Sequence, residues 1–253
     1  MALGLSNRLM LMPADKRDVP LSTEAESTRI KEVYRLRESN IPKDRYSLFK
    51  EQNLVTHLDL QGEILRLFSR FKRTSLETER ILEVGCGRAY WLRQMIQWGA
   101  QPENLFGIDL MPERLQDGRK LCPQKVSLEC GDASHLDFPD GCFSMVLQFT
   151  VFTSILDELM KKQIAAEISR VLKPGGALLW YDYFVSNPSN PNVRGVSRRE
   201  IVRLFPGFST FLKRVTLAPP ITRVVAPVST AVYRLLSALP PLRTHYLGFL
   251  QKQ

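Results

Sequence analysis

Apolar and polar residues follow two rhythms along the chain, and the rhythm changes near residue 80. Residues 1–21 show no clear period. Thr23-x-x-Glu26 has the spacing of a capping box and predicts a helix running to about Ser39, where Asn40 and Pro42 stop it. A second helical stretch is expected over 44–72, because Leu54, Leu58, Ile64, Leu65, Phe68 and Phe71 recur near helical spacing on one face. Residues 1–79 therefore read as a helical extension or lid rather than a separate domain. From Arg80 onward short apolar runs predict strands at 81–84, 105–109, 126–130, 143–149 and 177–184. Amphipathic segments between them predict helices at 90–98, 112–121 and 157–172; Pro112 suits a first helical turn, and Lys173-Pro174-Gly175-Gly176 reads as a stop. This alternation is the pattern of an α/β chain whose parallel sheet is covered on both faces. A helix at 197–205 and strands at 211–217 and 246–250 are expected to follow, and no internal repeat is present.

Composition narrows the class without changing it. Hydrophobic residues make up 44% and charged residues 24%, which excludes a disordered, collagen-like or low-complexity chain. The formal net charge is +9, and it is concentrated: residues 184–253 hold ten Lys and Arg but one acid, Glu200. A basic tail on a neutral body suits an anionic acceptor, a membrane surface or nucleic acid, unless it is only a set of solvated arginines. The four cysteines (Cys86, Cys122, Cys130, Cys142) show no C-x-x-C spacing, so reduced structural thiols are expected rather than disulfides or a metal site. There is no sustained apolar N-terminal region and no run of about 20 apolar residues; the nearest, 224–242, is interrupted by Pro227, Arg234, Pro240 and Pro241. A cytoplasmic protein is expected.

The chemistry concentrates at the first strand–helix turn, Glu83-Val84-Gly85-Cys86-Gly87-Arg88-Ala89. Glycines there permit positive φ and a close approach of backbone N–H groups to a ligand at a helix N-terminus. Asp109 ends the next strand, where a carboxylate is suited to ribose hydroxyls. Asp132 follows the third strand, and Glu83 points a carboxylate at the same crevice. A dinucleotide fingerprint wants Gly or Ala where Tyr90 stands, and no Gly-Lys-Ser/Thr loop is present. A carboxylate just ahead of the glycines repels a pyrophosphate but suits a ligand with a cationic end. S-adenosylmethionine carries a sulfonium and an ammonium together with a ribose and an adenine.

Glu-Val-Gly-Cys-Gly, Gly-Ile-Asp (107–109), Gly-Asp-Ala (131–133) and Leu-Lys-Pro-Gly-Gly (172–176) resemble, in order and spacing, the motifs of class I S-adenosylmethionine-dependent methyltransferases over about 80–184. The resemblance implies a Rossmann-like, doubly wound seven-stranded sheet with an antiparallel last strand, a catalytic domain at 80–253, and an acceptor-side basic segment at 184–253. It implies that Glu83, Gly85, Gly87 and Ala89 surround the methionine part, that Asp109 binds the ribose, that Asp132 reaches the adenine amino group with Ala133 against the ring, and that Gln148 and Phe149 lie near the transferred methyl. Cys86 and Leu110 belong to the same cofactor-binding set. Ala89 departs from the glycine many relatives carry. The flanks, Asp44-Arg45-Tyr46-Ser47, 148–152, 180–182, Asn187-Pro188, Asn190-Pro191 and 243–246, are similar to a bacterial subgroup of small class I methyltransferases associated with exopolysaccharide or lipopolysaccharide pathways.

Ligands of open α/β sheets bind outside the carboxyl ends of the strands, so Asp182 and Tyr183, near the end of the fifth strand, are the candidates for base or orienter. Against this, Asp182 also reads as a hydrogen-bonded structural acid. His57, His135 and His245 read as surface or packing residues, and Tyr46 as either a lid over the cofactor or a core residue. The loop 187–194 and the stretch 219–242 are expected on the acceptor side; as a helix the latter is amphipathic and either packs on the body or lies on a membrane. The expected function is methyl transfer from S-adenosylmethionine to a small-molecule or glycan acceptor, at an oxygen, with an acidic or phosphate-bearing acceptor favoured by the basic tail. The alternatives are a lipid or quinone methyltransferase in peripheral contact with a membrane, an RNA methyltransferase, and a non-catalytic cofactor-binding protein. The absence of a recognisable RNA-binding module argues against nucleic acid.

Overall fold

The five expected central strands lie side by side as a parallel sheet. The computed structural model describes residues 23–42 and 44–253, so the reading of 1–21 lies outside the described residues. In chain order the strands are β1 (Ile81–Val84), β2 (Leu105–Asp109), β3 (Ser127–Cys130), β4 (Phe143–Phe149), β5 (Leu172–Tyr183), β6 (Phe208–Leu217) and β7 (Arg243–Lys252). They pair in the order β3-β2-β1-β4-β5-β7-β6, with β7 antiparallel to both neighbours. This is the seven-stranded sheet with an antiparallel last strand that the sequence motifs imply. Strand order reverses between β1 and β4, which opens a crevice at their carboxyl ends.

Eight helices among the described residues cover the sheet: α1 (Thr23–Asn40), α2 (Glu51–Arg70), α3 (Tyr90–Gln97), α4 (Pro112–Leu121), α5 (Glu158–Val171), α6 (Arg198–Leu204), α7 (Pro219–Val225) and α8 (Thr230–Ser237). Adjacent strand residues serve opposite layers, as period-2 geometry requires. Ile81, Met145, Leu147 and Leu179 pack with Ile64 of α2 and Leu92 and Met95 of α3. Leu82, Val146, Leu178 and Trp180 pack with Ile164 and Ile168 of α5 and Ile201 of α6. With both faces covered, the central strands are mostly apolar and buried along nearly their whole length, their few polar residues Glu83, Ser144 and Gln148 included.

Several boundaries differ from the expected ones for identifiable reasons. The Thr23–Glu26 capping box does not form. Thr23 is already helical and its hydroxyl donates to Gln163, while the Glu26 carboxylate accepts the amide of Leu156 at 2.6 Å and the guanidinium of Arg29 at 2.7 Å. The second helix starts at Glu51, because 44–50 is a chain of turns. The expected stop at 173–176 lies inside β5: Leu172 pairs with Phe143, the register breaks, and pairing resumes at Ala177 with Met145, the bulge being accommodated by Gly175 at φ +72°. β6 and β7 extend beyond their apolar centres into polar residues such as Ser209 and Gln251, which still pair along the ladder. The stretch 219–242 is two short helices, not one; the break falls at Ala226–Ser229, where Ser229 caps α8 by accepting the amide of Val232.

Candidate active site

The β1–α3 turn holds three residues in the left-handed region: Gly85 (φ +69°), Gly87 (φ +51°) and Ala89 (φ +56°). The amides of Gly85 and Cys86 both donate to the carbonyl of Ile108, at 2.8 and 3.0 Å, tying the turn to β2. A Cβ on Gly85 would stand 2.5 Å from Val151 Cγ2, so glycine is obligatory there. Ala89 caps α3 without a side-chain hydrogen bond and is fully buried. It shapes the turn instead of touching the ligand space, and it occupies a conformation its Cβ disfavours.

Behind the turn lies a cavity of about 980 Å³. Glu83, Gly85, Cys86, Gly87, Asp109, Leu110, Asp132, Ala133 and Phe149 all line it, so the structure brings nine of the expected cofactor residues to one wall. Asp109 accepts the amide of Gly87 on Oδ2 at 2.8 Å and that of Met111 on Oδ1 at 2.9 Å. Burial raises its carboxyl above the ordinary value, against the pull of those amides and of Arg114. Glu83 is 2% exposed and its Oε2 has no hydrogen-bond partner among the described residues. Burial, with the Asp109 carboxylate adding to it, pushes the Glu83 carboxyl well above the usual range. An orphaned buried carboxylate oxygen on a cavity wall calls for a cation, and the ammonium of S-adenosylmethionine supplies one. Asp132 is engaged on both oxygens: Oδ1 accepts the amide of Ser134 at 2.8 Å and Oδ2 accepts the hydroxyl of Ser27 from α1. The Cys86 thiol is raised by burial and lies beneath β2, where a Cβ on Gly107 would meet its sulfur at 2.7 Å; it is a packing group, not a nucleophile.

Four expected site residues stand elsewhere. Gln148 is fully buried behind the wall, with Oε1 accepting the Val151 amide at 3.2 Å and Nε2 unpartnered among the described residues. Ala89 is the cap already described. Asp182 is fully buried off the cavity, its Oδ2 accepting the amide of Thr153 (3.1 Å) and its Oδ1 that of Tyr183 (2.8 Å). Burial pushes it up to about 7. It ties the loop after β4 to β5 and, unlike the expected base position, does not line the cavity. The Tyr183 ring packs on His245 at 3.7 Å and does not line the cavity. His245 is buried and pushed down to about 3, a neutral packing residue as expected. His135 is exposed beside Ser134.

Of the opposite wall the sequence offered only Tyr46 as a lid and His57 as a surface or packing residue, and named none of the rest. There α1, the turns of 44–48 and α2 contribute Tyr34, Arg37, Tyr46, Leu48 and His57, facing a stacked pair, Trp91 and Phe149, with ring centres 4.2 Å apart and 12° between planes. Nδ1 of His57 lies 2.8 Å from the Asn53 carbonyl, so in the neutral ring it is the donor and Nε2 is left as an acceptor. Arg37 bonds the Tyr46 hydroxyl and has no carboxylate partner among the described residues. α1 is moored by Glu26, by Arg29 to the Ser154 carbonyl at 2.7 Å, and by Glu38 to Arg114 at 2.9 Å. No periodicity argument finds this wall, because its residues come from two helices and a set of turns that meet only in the fold. No group of three or more His, Cys, Asp or Glu able to hold a metal occurs among the described residues.

Residues 81–176 match the family model described as a methyltransferase domain. The chain is 28% identical over 162 residues to a demethylmenaquinone methyltransferase of Listeria welshimeri, covering 62% of this chain and 64% of that protein, so it spans less than two thirds of that relative. It is 31% identical over 136 residues to a tRNA N(3)-cytidine methyltransferase of Mus musculus, covering 50% of this chain and 33% of that one. Its fold is shared with an S-adenosylmethionine-dependent methyltransferase from Mesorhizobium loti, at a TM-score of 0.54 and 15% identity, covering 70% of this chain and 93% of that one.

Proposed function

We propose, from the premise that the central domain is a class I S-adenosylmethionine-dependent methyltransferase domain, that the chain transfers a methyl group to a small-molecule or glycan acceptor, at an oxygen. The observation that carries this is the unpartnered Oε2 of Glu83 on the wall of a cavity whose size, about 980 Å³, leaves room for an acceptor beside the cofactor. When bound, S-adenosylmethionine supplies an electrophilic methyl on its sulfonium. Glu83 takes the ammonium. Asp109, held by the amides of Gly87 and Met111, takes the ribose hydroxyls, and Asp132 with Ala133 takes the adenine. Trp91 and Phe149 exclude water from the space beside the reacting carbon. His57 accepts the acceptor's hydroxyl proton on Nε2, its tautomer fixed by the Asn53 carbonyl. Arg37 provides a counter-charge for an acidic or phosphate-bearing acceptor. α1 and the turns of 41–50 act as the lid. The work is done in the cytoplasm.

A second reading, transfer to an apolar ring such as a quinone precursor, is favoured by the aromatic wall and by the relative named for demethylmenaquinone. Nucleic acid also returns as an acceptor class, against the expectation drawn from the missing RNA-binding module, because another relative is named for tRNA. The discriminating experiment is transfer of labelled methyl from S-adenosylmethionine into separated lipid, glycan, small-molecule and RNA fractions of a cell extract. Label in small molecules or glycans supports the proposal, and label confined to RNA or lipid replaces it. Titration calorimetry with S-adenosylhomocysteine tests the premise: no heat from folded protein removes it.

A further inference from the structure

The outer surface of the two helices that follow β6 is apolar and unpartnered. On α7 and the turn after it, Val224 is 70% and Val228 83% exposed; on α8, Val232 and Leu235 are 45% and 68% exposed and share one side of the helix. The inner side of the same helices is satisfied: Tyr233 packs with Val55 of α2 and donates its hydroxyl to Asp59 at 2.6 Å. α8 is therefore apolar on both sides, which suits a helix that is buried twice. Phe49, at the turn leading into α2, is fully exposed at 104%. The charges on these two helices have one sign. Arg223 and Arg234 are exposed on α7 and α8, and no acid follows Glu200 in the chain.

The surface adjoins the cavity mouth. Tyr46 and Leu48, which line the cavity, belong to the same turn as Phe49. Arg223 and Tyr46 both stand near enough to the Tyr183 hydroxyl to act on its ionisation.

We infer that this face docks on an anionic lipid bilayer, with Phe49 and the outer side of α7–α8 inserted at the headgroup boundary and Arg223 and Arg234 against lipid phosphates. Exposed aliphatic residues rimmed by arginines, with no neighbouring acid on the same helices, match a negatively charged interface in both respects. A bilayer satisfies the apolar side of two short helices and a protruding aromatic. Docking sets the cavity mouth at the interface, so the inference deepens the functional reading by giving amphiphilic acceptors a direct route to the site.

The test uses the full chain with vesicles of phosphatidylcholine alone and of phosphatidylcholine with phosphatidylglycerol in equal parts. Flotation is expected to carry the protein with the anionic vesicles at least about tenfold more than with the neutral ones at low salt. V228D/L235D should lower recovery with anionic vesicles by about tenfold or more while leaving the melting temperature and S-adenosylhomocysteine affinity unchanged. R223E/R234E should abolish the preference for anionic lipid. Wild-type protein that stays in solution with anionic vesicles overturns the inference, as does a variant that floats undiminished. Sedimentation velocity adds another: dimers abolished by V228D/L235D, without flotation of wild type, identify the face as a contact between copies. The cofactor titration reads separately, so loss of the methyltransferase premise and loss of docking are distinguishable.

Discussion

At the scale of single residues, burial decides what each acid does, and burial is what a sequence shows least. Glu83 and Asp182 both follow apolar runs and both look like strand-end acids, yet one lines a cavity with an oxygen left unpartnered and the other is sealed with two backbone amides. For Glu83 the free protein holds a carboxyl raised well above its usual value, and a bound ammonium favours the ionised form. Binding at low pH must therefore expel a proton, so affinity for S-adenosylhomocysteine should rise with pH until Glu83 is ionised in the free protein. Calorimetry across pH checks this, and Glu83→Gln should both weaken binding by about 1–3 kcal/mol and flatten the Glu83 part of the slope. For Asp182 the folded value, about 7, lies above the ordinary 3.8, so the native state holds the proton more tightly. Its contribution to stability is fullest below about pH 4, declines between there and about 7, and is constant above. Asp182→Asn should therefore compare less unfavourably with wild type at pH 8 than at pH 5 in thermal melts; an unchanged gap would show that Asp182 titrates alike folded and unfolded. His57 belongs at this scale too. A lone histidine on an amphipathic helix carries no motif, and only its place on the cavity wall gives it a task. His57→Gln should lower kcat by about a hundredfold while cofactor affinity stays.

At the scale of elements, the legible parts are those whose signal is local. β1, β2 and β4 are marked by short, mostly apolar runs, and the turn of 85–89 by its glycines. The bulge in β5 was hidden because Lys-Pro-Gly-Gly reads as an ending, whereas β4 and the sheet hold the chain in register on both sides of it. The mooring of α5 to α6 was hidden for the opposite reason. Lys161 looks like a solvated helix residue, but it is 0% exposed, 2.8 Å from Glu200, and close enough to Asp182 to favour its charge. A fully buried ammonium is held there by the acids around it, and Glu200 is itself only 11% exposed on its side chain. Lys161→Met should destabilise by about 3 kcal/mol, because it leaves the largely buried Glu200 with only the longer contact to Arg194, at 3.6 Å. Lys161→Met with Glu200→Leu should recover most of that loss in denaturant titrations, since an apolar pair of similar volume replaces the ion pair. If the double variant is no better than the single one, Glu200 is not the group that Lys161 compensates.

At the scale of the whole molecule, the tail's positive charge divides into two populations that net charge cannot separate. Arg194 pairs with Glu158, Lys213 with Glu63 at 2.6 Å, Arg243 donates to the Ser237 carbonyl at the end of α8, and Lys252 donates to the carbonyls of Ser169 and Leu172. Arg194, Lys213 and Lys252 fasten the tail to the body, and Arg243 ties the tail's own segments together. Arg223 and Arg234 sit on an exposed apolar face instead. The distinction makes a prediction about salt. Charges already paired within the fold release few counterions to a partner, whereas unpaired ones on a docking face release theirs. Reversing Arg194 to Glu should lower thermal stability, by placing like charges together at Glu158, with little effect on how added salt changes activity on an amphiphilic acceptor. Reversing Arg223 and Arg234 should do the reverse: stability holds, and the salt dependence of activity flattens. Activity assays across ionic strength, run beside melts of the same variants, separate the two. Equal salt dependence in all variants would mean that the tail's charge serves the fold alone.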